Sequence, residues 1–247
     1  MASSQATETT HVTASMEQYL LAMYCLRREN QPLIGARLAE WLDVSPASVT
    51  GMIHRMSQEG LVQVGRGKQI TLTTKGWQIA LTTARRHYLA ERLLTDMLGV
   101  DWYRAHVEAE RWQHAITDET EEKLWIALGR PTTCPHGSPI PGTGACFSPH
   151  SRKLTDVEVG RELIVERISD SATENIDLLK FFQDHLIMPG KKLSVREINS
   201  ITQAVTVETE NGPVALGIEA ARQVIVVPAH LFQQRKPPER LRKDSTF

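Results

Sequence analysis

The sequence predicts an α+β chain in three parts: a helix-turn-helix followed by a β-hairpin, a helical middle segment, and a small C-terminal β-barrel. Three observations carry this reading. Apolar residues recur at helical spacing before residue 60 and again from Lys75 onward, alternating Val62, Val64, Ile70 and Leu72 flank Gly65-Arg66-Gly67, and short alternating runs surround Asn211-Gly212 in the last third. At 247 residues and 41% hydrophobic, the chain is long enough for one large domain or two to three small ones. No apolar run approaches the roughly 20 residues that span a bilayer. The start, MASSQATETTHVTAS, lacks the basic and apolar stretches of a signal peptide, so a cytoplasmic protein with no membrane partner is expected. Cys25, Cys134 and Cys146 are an odd number without an export signal, which argues for reduced thiols. A net charge of -1 neither demands nor excludes nucleic acid.

Met16, Tyr19, Leu20, Met23 and Tyr24 make the first amphipathic helix, with Ser15 as its expected N-cap. A short helix through ARLAEWL and a turn at Asp43 to Ser45 follow. SPASVTGMIHRMSQEG then opens with a Ser cap and a Pro in the first helical position. Its stripe of Val49, Met52, Ile53 and Met56 faces inward, leaving Ala47, Ser48, Thr50, Gly51, His54 and Arg55 outward. Small and polar side chains at the start of such a helix suit entry into a major groove. With the hairpin after it, the segment reads as a winged helix. Ser45, Ala47, Ser48, Thr50 and Arg55 are the expected DNA contacts, and Arg55, Arg66 and Lys68 would neutralise phosphates without reading sequence.

From Lys75, KGWQIALTTARRHYLAERLLTDML reads as one long helix with His87 and Glu91 one turn apart. DWYRAHVEAERWQHAITDETEEKLWIAL supplies a helix pair, on which His106, Glu110 and His114 recur every four residues and so fall near one face. Imidazoles and carboxylates on neighbouring helices are the usual donors for Mn, Fe or Zn. A single such His is more often a satisfied structural residue. Residues 137–153 are rich in Gly, Pro and Ser and read as a connector. Beyond them come a strand GRELIVERI, a helix ENIDLLKFFQDHLI, and the strands KKLSVREI, QAVTVET, VALGI and ARQVIVVP, the pattern of a small barrel. The tail LFQQRKPPERLRKDSTF is polar, basic and Pro-containing.

In series, SMEQYL, VSPASVTGMIHRMSQEGLV, LTTKG, RRHYLAERLL, HVEAERWQHAITDE and CPHGSPIPG resemble the diphtheria toxin repressor family of metal-dependent transcriptional regulators. The likeness is strongest to manganese-responsive members with a C-terminal SH3-like domain, and it covers roughly residues 14–228. It implies a flexible N-terminus (1–13), a winged-helix DNA-binding domain (14–76), a helical dimerisation and metal-binding domain (77–142), a linker (143–155), an SH3-like domain (156–230) and a flexible tail (231–247).

The resemblance also implies ligands. A primary site would fall on Gln18, His87, Glu110, Gln113 and His114. Two of these depart from the family pattern: manganese regulators have Asp and iron regulators Met where this chain has Gln18, and both usually have Glu where it has Gln113. An amide oxygen brings no charge, so both changes should weaken or redirect binding. Gln18 also has a structural reading, because Ser15-x-x-Gln18 fits a capping box. A second site would fall on Glu91, Cys134, His136 and Asp170. Iron-type members use His87, Glu91 and His106, which makes His106 a ligand under that pattern alone.

The function implied is a homodimeric repressor of metal-uptake genes that binds a palindromic operator when loaded with metal. Mn(2+) is the expected ion, with Fe(2+) or Zn(2+) as alternatives. Gln occupies the Gly51 position in the iron-type pattern, so the operator does not carry over. A winged-helix protein with purely structural metals is the first rival reading. A metal-dependent hydrolase with Glu91 or Glu110 as general base is the second; the absence of a His-Glu-x-x-His pattern argues against it, and no small-molecule substrate is expected.

Overall fold

The computed structural model describes residues 12–232, which fall into two compact units joined within one helix, residues up to Ala84 and residues from Arg85. The expected N-terminal and C-terminal tails lie largely outside the described residues.

In the first unit, α1 (Ala14–Arg28) is the central element, with Leu20 and Met23 fully buried. It starts earlier than expected. Thr13, in extended backbone, accepts the Met16 N–H at 3.3 Å and is the N-cap in place of Ser15. Ser15 therefore lies inside the helix, and the Ser15–Gln18 capping box does not form. The Asn30 and Asp43 turns adopt left-handed φ of 56° and 49° around α2 (Gly35–Trp41). α3 (Pro46–Gln58) has the expected Ser45 cap, with Ser48 N–H donating to Ser45 Oγ at 3.1 Å, and buries Val49, Met52, Ile53 and Met56. β1 (Val62–Val64) and β2 (Ile70–Leu72) pair antiparallel as Val62 with Leu72 and Val64 with Ile70. An Ile70 N–H to Leu33 carbonyl bond at 2.8 Å and an isolated bridge from Ile34 to Gln69 tie the residues before α2 to this two-stranded wing. The chain then enters α4 (Thr74–Arg92) at Gly76, where any Cβ would stand 2.0 Å from the Leu61 carbonyl oxygen.

The second unit begins with the last two turns of α4, which pass into a π-helical turn, Leu93–Met97. Thr95 Oγ1 bonds the Glu91 carbonyl at 3.0 Å there. α5 (Ala105–Trp112) and α6 (Asp118–Ala127) pack back on it through Ala90, Leu94, Ala109, Ile116 and Leu124. Ion pairs from Arg85 and Arg86 to Glu121 fix α6 against α4. The remaining strands are β3 (Arg152–Lys153), β4 (Glu162–Ile168), β5 (Lys192–Asn199), β6 (Ala204–Thr209), β7 (Gly212–Gly217) and β8 (Val224–Pro228). They form one antiparallel sheet in the order β3-β8-β4-β5-β6-β7. Bulges after Val165 and Val195 bend it, as an SH3-like fold requires. α7 (Ile176–Asp184), capped by Asn175, buries Leu179 and Phe182 in its core, and the short α8 (Ile218–Arg222) connects β7 to β8.

Trp102 is a core residue, packed with Leu154, Val165 and Phe182, and its indole N–H donates to the Pro135 carbonyl at 3.0 Å. Trp102 and Tyr103 thus anchor the helical segment in the core of the sheet, while α4, α5 and α6 keep a cluster of their own.

Candidate metal centre

α4 places His87 and Glu91 one turn apart, both fully buried. His106 comes from α5, and Cys134 and His136 from the turn closed by Cys134 N–H to Ser138 carbonyl and Gly137 N–H to Cys134 carbonyl bonds. His87 Nε2 and His106 Nδ1 are 2.9 Å apart and lie 3.1 and 2.9 Å from Glu91 Oε1; His136 Nδ1 lies 3.4 Å from the same oxygen. Donors held about 2.1 Å from one ion are spaced roughly 3.0–3.4 Å from each other, so these edges are those of a coordination sphere.

The outer nitrogen of each ring faces an acceptor. His87 Nδ1 meets Gln113 Oε1 at 2.8 Å, His106 Nε2 meets Glu174 Oε1 at 3.2 Å, and His136 Nε2 meets the Trp102 carbonyl at 3.3 Å. An acceptor holds the proton on the outer nitrogen, so the inner lone pairs converge on Glu91. That is how metal-binding imidazoles are oriented. Lone pairs and a carboxylate aimed at one another repel unless a cation or a proton sits among them. Glu91 Oε2, buried with no hydrogen-bond partner among the described residues, leaves further coordination capacity. The donor set fits a divalent metal.

Without a cation, protons must do this work. Burial alone would raise the Glu91 carboxyl, but attraction to His136 and the hydrogen bond from His106 outweigh it and hold the group well below its usual range. Burial would likewise lower His106, yet its hydrogen bonds to Glu174 and Glu91 raise it well above the ordinary imidazole value. Burial, reinforced by the Glu91 charge, pushes the Cys134 thiol well up. A bound divalent ion would reverse that last effect and favour the thiolate.

The structure brings together residues that the resemblance divides between two sites. His87, Glu91 and His106 form one group of donors and Glu91, Cys134 and His136 a second, with Glu91 common to both. Asp170 is buried nearby but its Oδ1 accepts from Ser138 Oγ at 2.9 Å. Glu110 approaches His106 and Glu174 from the more exposed side. His114 follows α5, which ends at Trp112, in the three-residue turn Gln113–Ala115. It is exposed, with Nε2 3.3 Å from Gln113 Nε2. Gln18 is half-buried on α1 in the first unit. In that unit Ser45, Ala47, Ser48, Thr50, Arg55, Arg66 and Lys68 are all exposed, with Thr50 Oγ1 bonded to the Pro46 carbonyl. Glu174, which holds the outer face of His106, was not foreseen.

Comparison with known proteins bears on what this arrangement is. Residues 11–69 match the N-terminal DNA-binding domain of the iron-dependent repressors, 73–142 their metal-binding and dimerisation domain, and 152–228 the FeoA domain. The iron-dependent repressor IdeR of Mycobacterium leprae is 33% identical over 87% of this chain and 89% of its own. The chain belongs to the diphtheria toxin repressor family. A diphtheria toxin repressor from Corynebacterium efficiens is 41% identical over 76% of this chain and 72% of its own. Among solved structures, a manganese-dependent transcriptional repressor in complex with manganese superposes with a TM-score of 0.76 at 31% identity, covering 86% of this chain and 99% of that one. Family membership accounts for the fold of both units, while the donor set described above is read from this chain's own residues. No helix among the described residues is long and apolar enough to cross a membrane.

Proposed function

We propose that this protein is a metal-dependent transcriptional repressor whose buried centre of His87, Glu91, His106, Cys134 and His136 holds the activating ion. The observation that carries this reading is the convergence of three inner imidazole nitrogens on one buried carboxylate, with every outer nitrogen anchored. When bound, a divalent cation supplies the positive charge that this set of donors lacks. The protein's residues orient the rings, exclude water, and give up the His106 proton on loading.

α4 transmits the event. It starts at the end of the wing and carries both His87 and Glu91, so fixing those two side chains fixes the helix to which the DNA-binding unit is joined. Exposed Ser45, Ala47, Ser48, Thr50 and Arg55 on and beside α3 would enter a major groove, with Arg66 and Lys68 on phosphates. A homodimer would present two such helices to a palindromic operator about 34 Å apart. Exposed Met97, Leu98, Trp112 and Ile126 of the helical segment supply apolar surface for its seam. By linkage, operator DNA tightens metal binding by the same factor as metal tightens DNA binding.

Manganese is the expected ion, and Glu110 at the edge of the centre favours a hard cation. The three imidazoles and the Cys134 sulfur favour a borderline one, which makes iron(II) the specific rival and zinc a third case. The test is operator binding by chelated full-length protein on titration with Mn, Fe(II) and Zn separately. Metal-dependent, chelator-reversible binding supports the proposal and names the ion; binding indifferent to metal overturns it.

A further inference from the structure

Gln113 stands where the family resemblance implies a metal ligand, yet its geometry gives it different work. It is buried at 2% exposure in the turn that ends α5. Its Oε1 lies 2.8 Å from His87 Nδ1, while its Nε2 lies 3.3 Å from His114 Nε2. The two nitrogens of an imidazole point away from one another. His87 turns Nε2 towards Glu91 and His106, so an ion bound there sits on the far side of the ring from Gln113. An amide oxygen can only accept, and accepting from Nδ1–H is what leaves the Nε2 lone pair bare. The same amide can donate through Nε2–H to His114.

We propose that Gln113 is a positioning residue and not a ligand: it fixes His87 in the Nδ1–H tautomer and links that ring to His114 at the surface. The inference rests on the metal-centre reading above and refines it. It also explains how an uncharged residue serves where relatives of this type carry a carboxylate: the task here is to accept one hydrogen bond, and an amide oxygen does that without adding charge to a buried site.

The test is long-range proton–nitrogen NMR on full-length protein with isotope-labelled histidines, metal-free and loaded with NMR-active cadmium. His87 should carry its proton on Nδ1 in both states, with cadmium coupled to Nε2. Gln113→Leu should move metal-free His87 towards the other tautomer and weaken cadmium binding about 10- to 100-fold, the usual effect of losing such a partner. Gln113→Glu, which keeps an acceptor, should retain both the tautomer and at least the original affinity. Cadmium coupled to His87 Nδ1 would overturn the inference, as would a Gln113→Leu protein with unchanged tautomer and affinity. The wild-type spectrum alone decides the first point should that variant fold poorly. Absence of any cadmium coupling to His87, His106 and His136 would instead overturn the metal-centre reading itself.

Discussion

Gly137 is where the turn that carries Cys134 and His136 meets the SH3-like sheet, and replacing it with Ala makes a severe and local perturbation. Its φ is +93°, and a Cβ built there would stand 2.3 Å from the Glu166 carbonyl oxygen and 2.7 Å from Arg167 Cα, next to the bulge in β4. The neighbouring Ile168 N–H bonds the His136 carbonyl at 2.9 Å, so turn and strand are locked together at this point. A side chain in left-handed backbone costs about 1–2 kcal/mol, and overpacking a tight contact costs about 1–3 kcal/mol. The sum, roughly 2–5 kcal/mol, lowers the melting temperature of a domain this size by about 5–15 °C.

Gly144→Ala separates the two effects. Gly144 also has positive φ, +72°, but a Cβ there meets nothing within 4 Å, so only the backbone cost of about 1–2 kcal/mol applies. Relief of the clash at Gly137 requires the turn to withdraw by about 1 Å to restore ordinary contact distances, which carries Cys134 and His136 away from Glu91. Manganese affinity should therefore fall in Gly137→Ala and stay unchanged in Gly144→Ala. Calorimetric melting in chelator, followed by metal titration, checks both. If the two variants melt together and bind metal as the wild type does, then the turn is not braced by β4 and the reasoning fails.

Trp102→Phe keeps the aromatic packing but strands the buried Pro135 carbonyl, so it should cost about 1–3 kcal/mol in chemical denaturation. Thr13→Ala removes the observed cap of α1 and should cost about 1 kcal/mol, whereas Ser15→Ala should be nearly neutral; urea melts of the two variants test the placement of the helix start. For the metal-free protein, the stability contributed by depressed Glu91 is present above its ordinary 4.5 and lost as pH falls through its lower folded value, while that of raised His106 is complete below 6.5 and lost as pH rises through its higher one. Melting temperature in chelator should accordingly be highest between about pH 4.5 and 6.5 and decline on either side, and excess metal should abolish the alkaline decline, because the ion replaces the His106 proton.

Much of the fold was legible because its signals are local. The Val49, Met52, Ile53 and Met56 stripe, the Ser45-Pro46 start and the Gly65-Arg66-Gly67 tip each specify their element within a dozen residues, and each is found where the pattern puts it. The failures share a cause. Ser15 is the better cap by residue type and Thr13 a favoured one, and the extended backbone at Thr13 decides between them. β3 and α8, two and five residues long, are too short to show a period.

At the centre, residue types alone identify the donors but not their roles. His87, Glu91 and Cys134 announce metal chemistry by what they are. Whether Gln113 binds an ion or holds a ring depends on which nitrogen of His87 it faces, and sequence carries no record of ring orientation. Each ring is set by a partner brought from elsewhere: Gln113 for His87, Glu174 for His106, the Trp102 carbonyl for His136. One of these is a backbone atom, which no choice of residue type encodes, and another lies 68 positions away along the chain. These partners decide which lone pairs would reach an ion in the proposed centre, which is why residue types transferred position by position do not by themselves distinguish a ligand from the partner that orients it.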